Sequence, residues 1–328
     1  MVQRSRIVNN IFDESMPFEE KMLLVQQYQY ENNPVYQEWC DLIRPSLGTK
    51  ENLTSIPFLP ISFFKSHKVV SGNFEPMHIF ESSGTTTTIN SKHFVKDAAI
   101  YEQSFIECFE SFYGTVEGWC VIGLLPSYLE RQNSSLIVMV DALIKKSKYN
   151  ESGFYLYEFA QLKKLLETLE KKAQKTLVIG VTFALLDFAE QYSFPLKHTT
   201  LMETGGMKGR RKELTRKEVH GILKQSFAVD AVHSEYGMTE LLSQAYAKAD
   251  GRFYCPQWMK VLVRDEEDPL HVSTTGRGVL NIIDLANVDS CSFIATDDVG
   301  IVYEDGSFEV HGRIDNSDIR GCSLLAIQ

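Results

Sequence analysis

The chain has 328 residues, 44% hydrophobic and 23% charged, with a formal net charge of −10. This is the balance of an ordinary soluble protein of one large or two smaller domains, and the acidic surplus argues against a nucleic-acid binder, since phosphate contacts need a basic surface. No apolar run approaches the ~18–20 residues that span a bilayer, the start MVQRSRIVNN has no apolar leader core, and six scattered cysteines without a CxxC pair point to neither a zinc site nor a disulfide framework, so a reducing cytoplasm is the expected location.

In chain order, residues 18–44 read as helix, with Leu23, Leu24, Tyr28, Val35 and Trp39 among polar neighbours. Asn33-Pro34 breaks it in two, because a residue before proline is driven out of the helical region. A connector with Pro57 and Pro60 leads to a hydroxyl-rich stretch, ESSGTTTTINSKH, from Glu81 to His93. A helical segment over 97–113 then carries Phe105, Cys108, Phe109 and Phe112 on one side. GWCVIGLLP reads as a buried strand and SSLIVMVDALIKK as a helix. EFAQLKKLLETLEKK repeats apolar residues at helical spacing: Phe159, Leu162, Leu165, Leu166 and Leu169. TLVIGV followed by FALLDFAEQY is strand then helix, and TRKEVHGILKQSF opens with a capping box from Thr215 to Glu218. This alternation predicts an α/β fold with a largely parallel sheet.

Beyond about residue 250 strand signals dominate, in WMKVLV, GVLNIIDL, SFIATDDVGIVY and SFEVHGR, with Glu304-Asp305-Gly306 as a hairpin turn. The expected organisation is an α/β body over 1–250, helical in its first 80 residues; a β-rich subdomain over 251–314; and a short hinge and tail over 315–328 that carries Cys322.

Four stretches carry chemistry. The small residues from Ser82 to Thr88 let several backbone N–H groups converge, and threonine hydroxyls add donors, which suits a polyphosphate. There is no Gly-Lys pair for a Walker loop and no GxGxxG, and a plain surface loop has the same composition. HSEYGMTE, His233 to Glu240, follows a short apolar run that reads as a strand, placing it at a strand's C-terminal end, where α/β proteins bind ligands. Tyr236 offers a flat ring for a base, Thr239 a hydroxyl, and Glu240 a carboxylate for a hard cation such as Mg²⁺; the plainer alternative is a turn at Gly237 opening a helix. ATDDVG, 295–300, sets two acids beside a β-run, where a carboxylate can accept both hydroxyls of a ribose, or else forms a solvated turn. HGRIDNSDIRGCS, 311–323, closes the β-rich part with arginines and alternating acids, or is a charged linker.

In this order the stretches resemble the adenylate-forming superfamily: acyl-CoA synthetases, luciferase-type enzymes and peptide-synthetase adenylation domains. SSGTTTT looks like its phosphate loop, although Thr87 stands in place of a glycine and the nearest lysine, Lys92, is displaced. YGMTE matches its Tyr-Gly-x-Thr-Glu motif, TDDVG is similar to Thr-Gly-Asp, GRIDNSDIRG matches the Gly-Arg-x-Asp hinge, and TGGMKG resembles the glycine pair along the adenine. The resemblance implies the large N-terminal-domain type of that fold, mostly parallel sheets covered by helices with a β-rich C-terminal subdomain. It implies the reaction of ATP with a carboxylate to give acyl-AMP and pyrophosphate. Ser82, Ser83, Gly84, Thr85, Thr86, Thr87 and Thr88 would cradle the β- and γ-phosphates, Thr239 touch the α-phosphate, and Glu240 hold Mg²⁺. Tyr236 would stack on adenine, with Gly237, Met238, Gly205 and Gly206 in the same nucleotide site, and Asp298 and Arg313 would hold the ribose.

Full-size members continue past the hinge into a C-terminal lid with its own lysine, whereas this sequence ends at Gln328. EYGMTELLSQAYA and SDIRGCSLL resemble the short LuxE-type acyl-protein synthetases of bacterial luciferase operons, and that branch's acyl-accepting cysteine falls on Cys322. The resemblance implies a fatty acid as substrate and an acyl-Cys322 thioester, then delivery to a partner such as an acyl reductase. A thiolate displacing AMP is a two-step covalent strategy, and the nearby Arg320 favours the thiolate; an inert tail cysteine is the alternative. Cys40, Cys108, Cys120 and Cys255 read as packing, and Cys291 is a rival near the ribose motif. His233 is the histidine nearest the adenine motif and His311 lies by the hinge. The segments 126–136 and 180–186 are candidates for an apolar acyl pocket. Two other functions fit the sequence: an acyl- or aryl-CoA ligase with its lid supplied in trans, and a nucleotide-binding subunit without turnover.

Overall fold

The computed structural model describes residues 2–43, 52–82, 89–126, 133–205 and 214–314. A short helix α1 (Arg4–Val8) precedes α2 (Phe18–Asn32), which stops where Asn33 turns extended at φ −114°, ψ 102°; α3 (Pro34–Ile43) then starts on the proline, whose fixed φ suits a first helical position. Next come strand β1 (Leu59–Pro60), one helical turn α4 (Phe63–Ser66), and an antiparallel hairpin of β2 (His78–Glu81) and β3 (Lys92–Val95). The hydroxyl-rich stretch runs from the end of β2 into the start of β3. Its neck is closed by Ser82 N donating to Ser91 O at 3.1 Å and Ser91 N to Ser82 Oγ at 2.9 Å. Ser83, Gly84, Thr85, Thr86, Thr87 and Thr88 lie outside the described residues, as do Gly206 and Cys322.

The expected alternation follows: α5 (Ala98–Tyr113), β4 (Cys120–Leu124), α6 (Ser135–Lys146), β5 (Gly153–Phe154), α7 (Phe159–Lys171), β6 (Thr176–Val181), α8 (Thr182–Gln191), β7 (Thr199–Thr204), α9 (Arg216–Phe227), β8 (His233–Tyr236) and β9 (Ala245–Ala247). The strands form one sheet in the order β5-β4-β6-β7-β8-β9, parallel up to β8, with β9 antiparallel at the edge. Alternate residues of one strand enter different cores: Val121, Leu177 and Ile179 pack with α5 and α6, while Ile122, Leu124 and Val178 pack with α7, α8 and α9. Burial on both faces is why these strands read as unbroken apolar runs. Asp97 caps α5 by accepting from Ala99 N at 3.1 Å, and the Thr215–Glu218 capping box is formed.

The last third builds a second sheet from β10 (Met259–Arg264), β11 (Val272–Ser273), β12 (Gly276–Asp284), β13 (Phe293–Val302) and β14 (Phe308–Arg313). These pair antiparallel, and Glu304-Asp305-Gly306 makes the expected turn between β13 and β14, with Gly306 at φ 78°. β1 joins this sheet in parallel, Leu59 beside Ile294 and Pro60 beside Ala295.

The N-terminal helices brace the loop between β12 and β13. Arg4 forks onto Asp289 with two contacts of 2.6 Å, and Asn33 Nδ2 donates to Ser290 O at 2.9 Å. Gln29, fully buried, donates from Nε2 to the carbonyls of Asn287 and Val288 and accepts from Ser292 N at 2.9 Å. Truncating it leaves these backbone groups buried without partners. Gln29→Ala is therefore expected to lower the unfolding free energy by about 3 kcal/mol, read from urea denaturation midpoints at unchanged slope.

Candidate active site

His233 to Tyr236 is itself strand β8, so the apolar run before it is not the strand, yet Gly237 still falls at a C-terminal strand end beside β7. No helix opens at Gly237. The reason is where the backbone amides find acceptors: Leu242 N and Ser243 N both donate to Asp284 Oδ2 at 2.9 Å, and Ser243 Oγ donates to Asp284 Oδ1 at 2.6 Å. A long-range carboxylate replaces the i−4 carbonyls, and the chain is drawn onto the second sheet. Asn287 Nδ2 donates to Glu240 O at 2.7 Å, while His93 from β3 bonds Thr239 O through Nδ1 at 2.9 Å and Ser290 Oγ through Nε2 at 2.9 Å. Burial lowers the His93 pKa to about 4, so its ring is a neutral strut. Gly237 is exposed, and Met238 and Thr239 are half-buried. A Cβ on Gly237 would sit 2.5 Å from Glu235 Oε1, so this turn needs the missing side chain for close approach.

ATDDVG lies within β13 and is not a turn. Asp298 is 4% exposed and points at two partners from other elements: Tyr236 Oη donates to its Oδ2 at 2.6 Å and Arg313 Nε to its Oδ1 at 2.7 Å. Arg313 stands directly across β14 from Asp298, and its side chain remains 70% exposed. The Asp298 charge raises the Arg313 pKa further, and burial with Asp298 holds the Tyr236 phenol well above its ordinary value, so the phenol stays a donor. The Tyr236 ring packs against Phe253 and Phe308 at centroid distances of 5.8 and 5.4 Å.

Glu240 is 5% exposed, and burial raises its pKa against a hydrogen bond from Ser91 and the charges of Arg313 and Lys65. Ser91 closes the neck of the hydroxyl loop, so that loop leaves the fold beside Glu240. Gly205 ends the neighbouring strand at φ 69°, its carbonyl accepting from Thr182 Oγ1 at 2.7 Å. The structure thus brings Ser82, Gly205, Tyr236, Gly237, Met238, Thr239, Glu240, Asp298 and Arg313 to the C-terminal strand ends and the adjoining sheet. Among the described residues no three His, Cys, Asp or Glu side chains form a metal cage. The lone Glu240 carboxylate would suit Mg²⁺, which takes most of its ligands from phosphates and water.

Several sequence candidates are engaged otherwise. His233 Nδ1 meets Tyr113 Oη at 3.0 Å, and burial lowers its pKa to about 4. His311 pairs with Glu309 at 3.0 Å on the surface. Cys40, Cys108, Cys120 and Cys291 are buried, and desolvation pushes the Cys108 and Cys291 thiols up, away from the thiolate a nucleophile needs; Cys291 is thereby removed as a rival. Leu185 and Leu186 of α8 belong to a buried core cluster and Thr182 ties down Gly205, while residues 127–132 of the other candidate segment, 126–136, lie outside the described residues.

Sequence reasoning missed Glu235. It is buried, accepts from the Thr204 hydroxyl, and has its pKa raised from 4.5 to about 7, first by burial and then, in the opposite direction, held back by that hydroxyl. The folded chain binds this proton more tightly than the unfolded one, so stability is full below about 4.5, falls as pH rises, and levels off above about 7. Replacement by Gln removes the titration. Glu235→Gln should flatten that part of the stability–pH curve, by up to about 3 kcal/mol between pH 4.5 and 8, measured by denaturation at each pH. The sequence signal was an acid two residues before the glycine of the Tyr-Gly-x-Thr-Glu motif.

The model of a family described as acyl-protein synthetase, LuxE, matches residues 1–328. The long-chain-fatty-acid–luciferin-component ligase of Aliivibrio fischeri is 21% identical over 341 residues, covering 95% of this chain and 89% of that protein. The enzyme of the same name from Vibrio harveyi is 21% identical over 327 residues, covering 92% and 85%. Among solved structures, 2-hydroxyisobutyryl-CoA ligase in complex with 2-HIB-AMP and CoA superposes with a TM-score of 0.65 at 13% identity, over 96% of this chain and 69% of that one. ATP-bound MatB from Rhodopseudomonas palustris gives 0.53 at 15% identity, over 72% of this chain and 47% of its own, so the chain spans about half that enzyme's length. These structural likenesses establish the fold, the one predicted from the motif order: mixed α/β sheets with a β-rich C-terminal part.

Proposed function

The chain belongs to the acyl-protein synthetase LuxE family, and on that premise we propose that it activates a long-chain fatty acid with ATP and then carries the acyl group on Cys322. The observation that carries this reading is the meeting of Tyr236, Asp298 and Arg313 around one carboxylate, beside Glu240. Asp298 accepts the ribose hydroxyls, with Arg313 and Tyr236 holding it in place. The adenine lies along Gly205, Gly206 and the turn at Gly237 and Met238 that follows the buried Tyr236. Thr239 contacts the α-phosphate, and the loop from Ser82 to Thr88 holds the β- and γ-phosphates. Glu240 would hold Mg²⁺, whose charge would offset that of the leaving pyrophosphate.

In the first step a carboxylate oxygen of the fatty acid attacks the α-phosphorus and the bond to pyrophosphate breaks. The protein's part is positioning and charge neutralisation. In the second step the Cys322 sulfur attacks the acyl carbon, the bond to AMP breaks, and the thiol proton passes to solvent. The relatives named as long-chain-fatty-acid ligases support the choice of acid, and their luciferin component supports a protein acceptor, such as an acyl reductase partner. Cys40, Cys108, Cys120 and Cys291 are buried, and burial also pushes the partly exposed Cys255 thiol well up, which supports assigning the acyl group to Cys322. No described helix is long and apolar enough to cross a membrane.

A panel of carboxylic acids in ATP–pyrophosphate exchange, followed by intact-mass and peptide mapping, tests the reading. Long-chain acids should drive exchange and leave one acyl adduct on Cys322. Silence with every acid removes the ligase assignment, and an adduct on another cysteine removes the role of Cys322.

A further inference from the structure

The first eighty residues bring one cation to the site. Ile61 N donates to Ala295 O at 2.9 Å, which anchors the start of α4 on the strand that carries Asp298. Phe64, 1% exposed, sets its ring edge-on to His93 at 5.8 Å, and His93 holds the Thr239 carbonyl. The single turn of α4 is thus clamped between β13 and the Thr239–Glu240 turn. Lys65, next to Phe64 on this turn, is exposed, and its ammonium makes no ion pair or hydrogen bond among the described residues. The clamp on α4 holds Lys65 on the turn that packs against the Thr239–Glu240 segment, and its charge, after that of Arg313, works against the burial that raises the Glu240 pKa. Arg313 is engaged by Asp298, and Lys92 by Glu81 at 3.6 Å.

We propose that Lys65 is a phosphate-binding residue of the adenylation step, its ammonium meeting the β- and γ-phosphates of the ATP held at Glu240. Negative charge grows on the leaving pyrophosphate as its bond to the α-phosphorus breaks, and a cation placed there stabilises the transition state more than the ground state. Lysine suits the task as a compact point charge. Asp298 and Glu240 contribute two carboxylates to the same cleft, so an extra cation offsets their repulsion of a polyanion. This inference rests on the proposed ATP site, and adds to it a residue from a segment without any nucleotide motif.

The test is equilibrium binding of ATP and of AMP to the full chain, by calorimetry, then pyrophosphate exchange. Lys65→Met should weaken ATP about tenfold and leave AMP unchanged, because AMP lacks the phosphates in question. Exchange should fall about a hundredfold, and Lys65→Arg should restore most of both. Retained AMP binding also reports an intact fold. Lys65→Met binding ATP as tightly as wild type, or losing ATP and AMP in equal measure, overturns the proposal while leaving the ligase assignment standing. A wild-type chain that binds neither nucleotide removes the nucleotide site and this inference together.

Discussion

Asp298→Ala should reduce ATP–pyrophosphate exchange by about a thousandfold. Two losses combine. A carboxylate that accepts two ribose hydroxyls makes two charge-assisted hydrogen bonds, each worth about 1.5–3 kcal/mol. The same carboxylate accepts from Tyr236 Oη and Arg313 Nε, so its removal also frees the side chains that shape the pocket. Tyr236→Phe separates the two effects: it deletes one orienting bond and keeps the ribose acceptor, so exchange should fall only about tenfold. Thermal melting of both variants shows whether the fold is retained. Exchange by Asp298→Ala near the wild-type rate would end the ribose assignment.

Cys322→Ala should abolish the covalent acyl adduct and leave pyrophosphate exchange within about twofold of wild type, since the thiol acts only after acyl-AMP exists. The split matters more than the loss. In the proposed mechanism adenylation depends on groups the fold holds in place, whereas acyl transfer depends on one sulfur. Neither Cys108 nor Cys291 can substitute, because burial without a nearby cation favours the neutral thiol. Intact mass after incubation with ATP and a long-chain acid reads the adduct, and exchange on the same sample reads the first step. Survival of a CoA-dependent product in Cys322→Ala would favour the CoA-ligase alternative instead.

Local signals carried much of the architecture. The break at Asn33-Pro34, the Thr215 capping box and the Glu304-Asp305-Gly306 turn came from residue chemistry within a few positions. The unbroken apolar runs of β4 and β6 came from burial on both faces, which any parallel sheet between helices imposes. The order of the four motifs indicated the adenylate-forming fold because each motif keeps its residues at fixed short spacing.

What the linear order left open were encounters between distant residues. The motif resemblance groups Tyr236, Asp298 and Arg313 in one nucleotide site, but that the first and third both bond the Asp298 carboxylate follows only from the meeting of β8, β13 and β14. The turn after Gly237 reads as a helix start until Asp284, 42 positions from Leu242, takes the amides a helix would have used. Gln29 reads as an ordinary helical residue until it meets a loop 258 positions away. The raised pKa of Glu235 and the approach of Lys65 to Glu240 likewise depend on which groups crowd a side chain. Spacing and propensity act through covalent neighbours and are written in the sequence; desolvation and long-range hydrogen bonds act through space, and only the assembled chain supplies them.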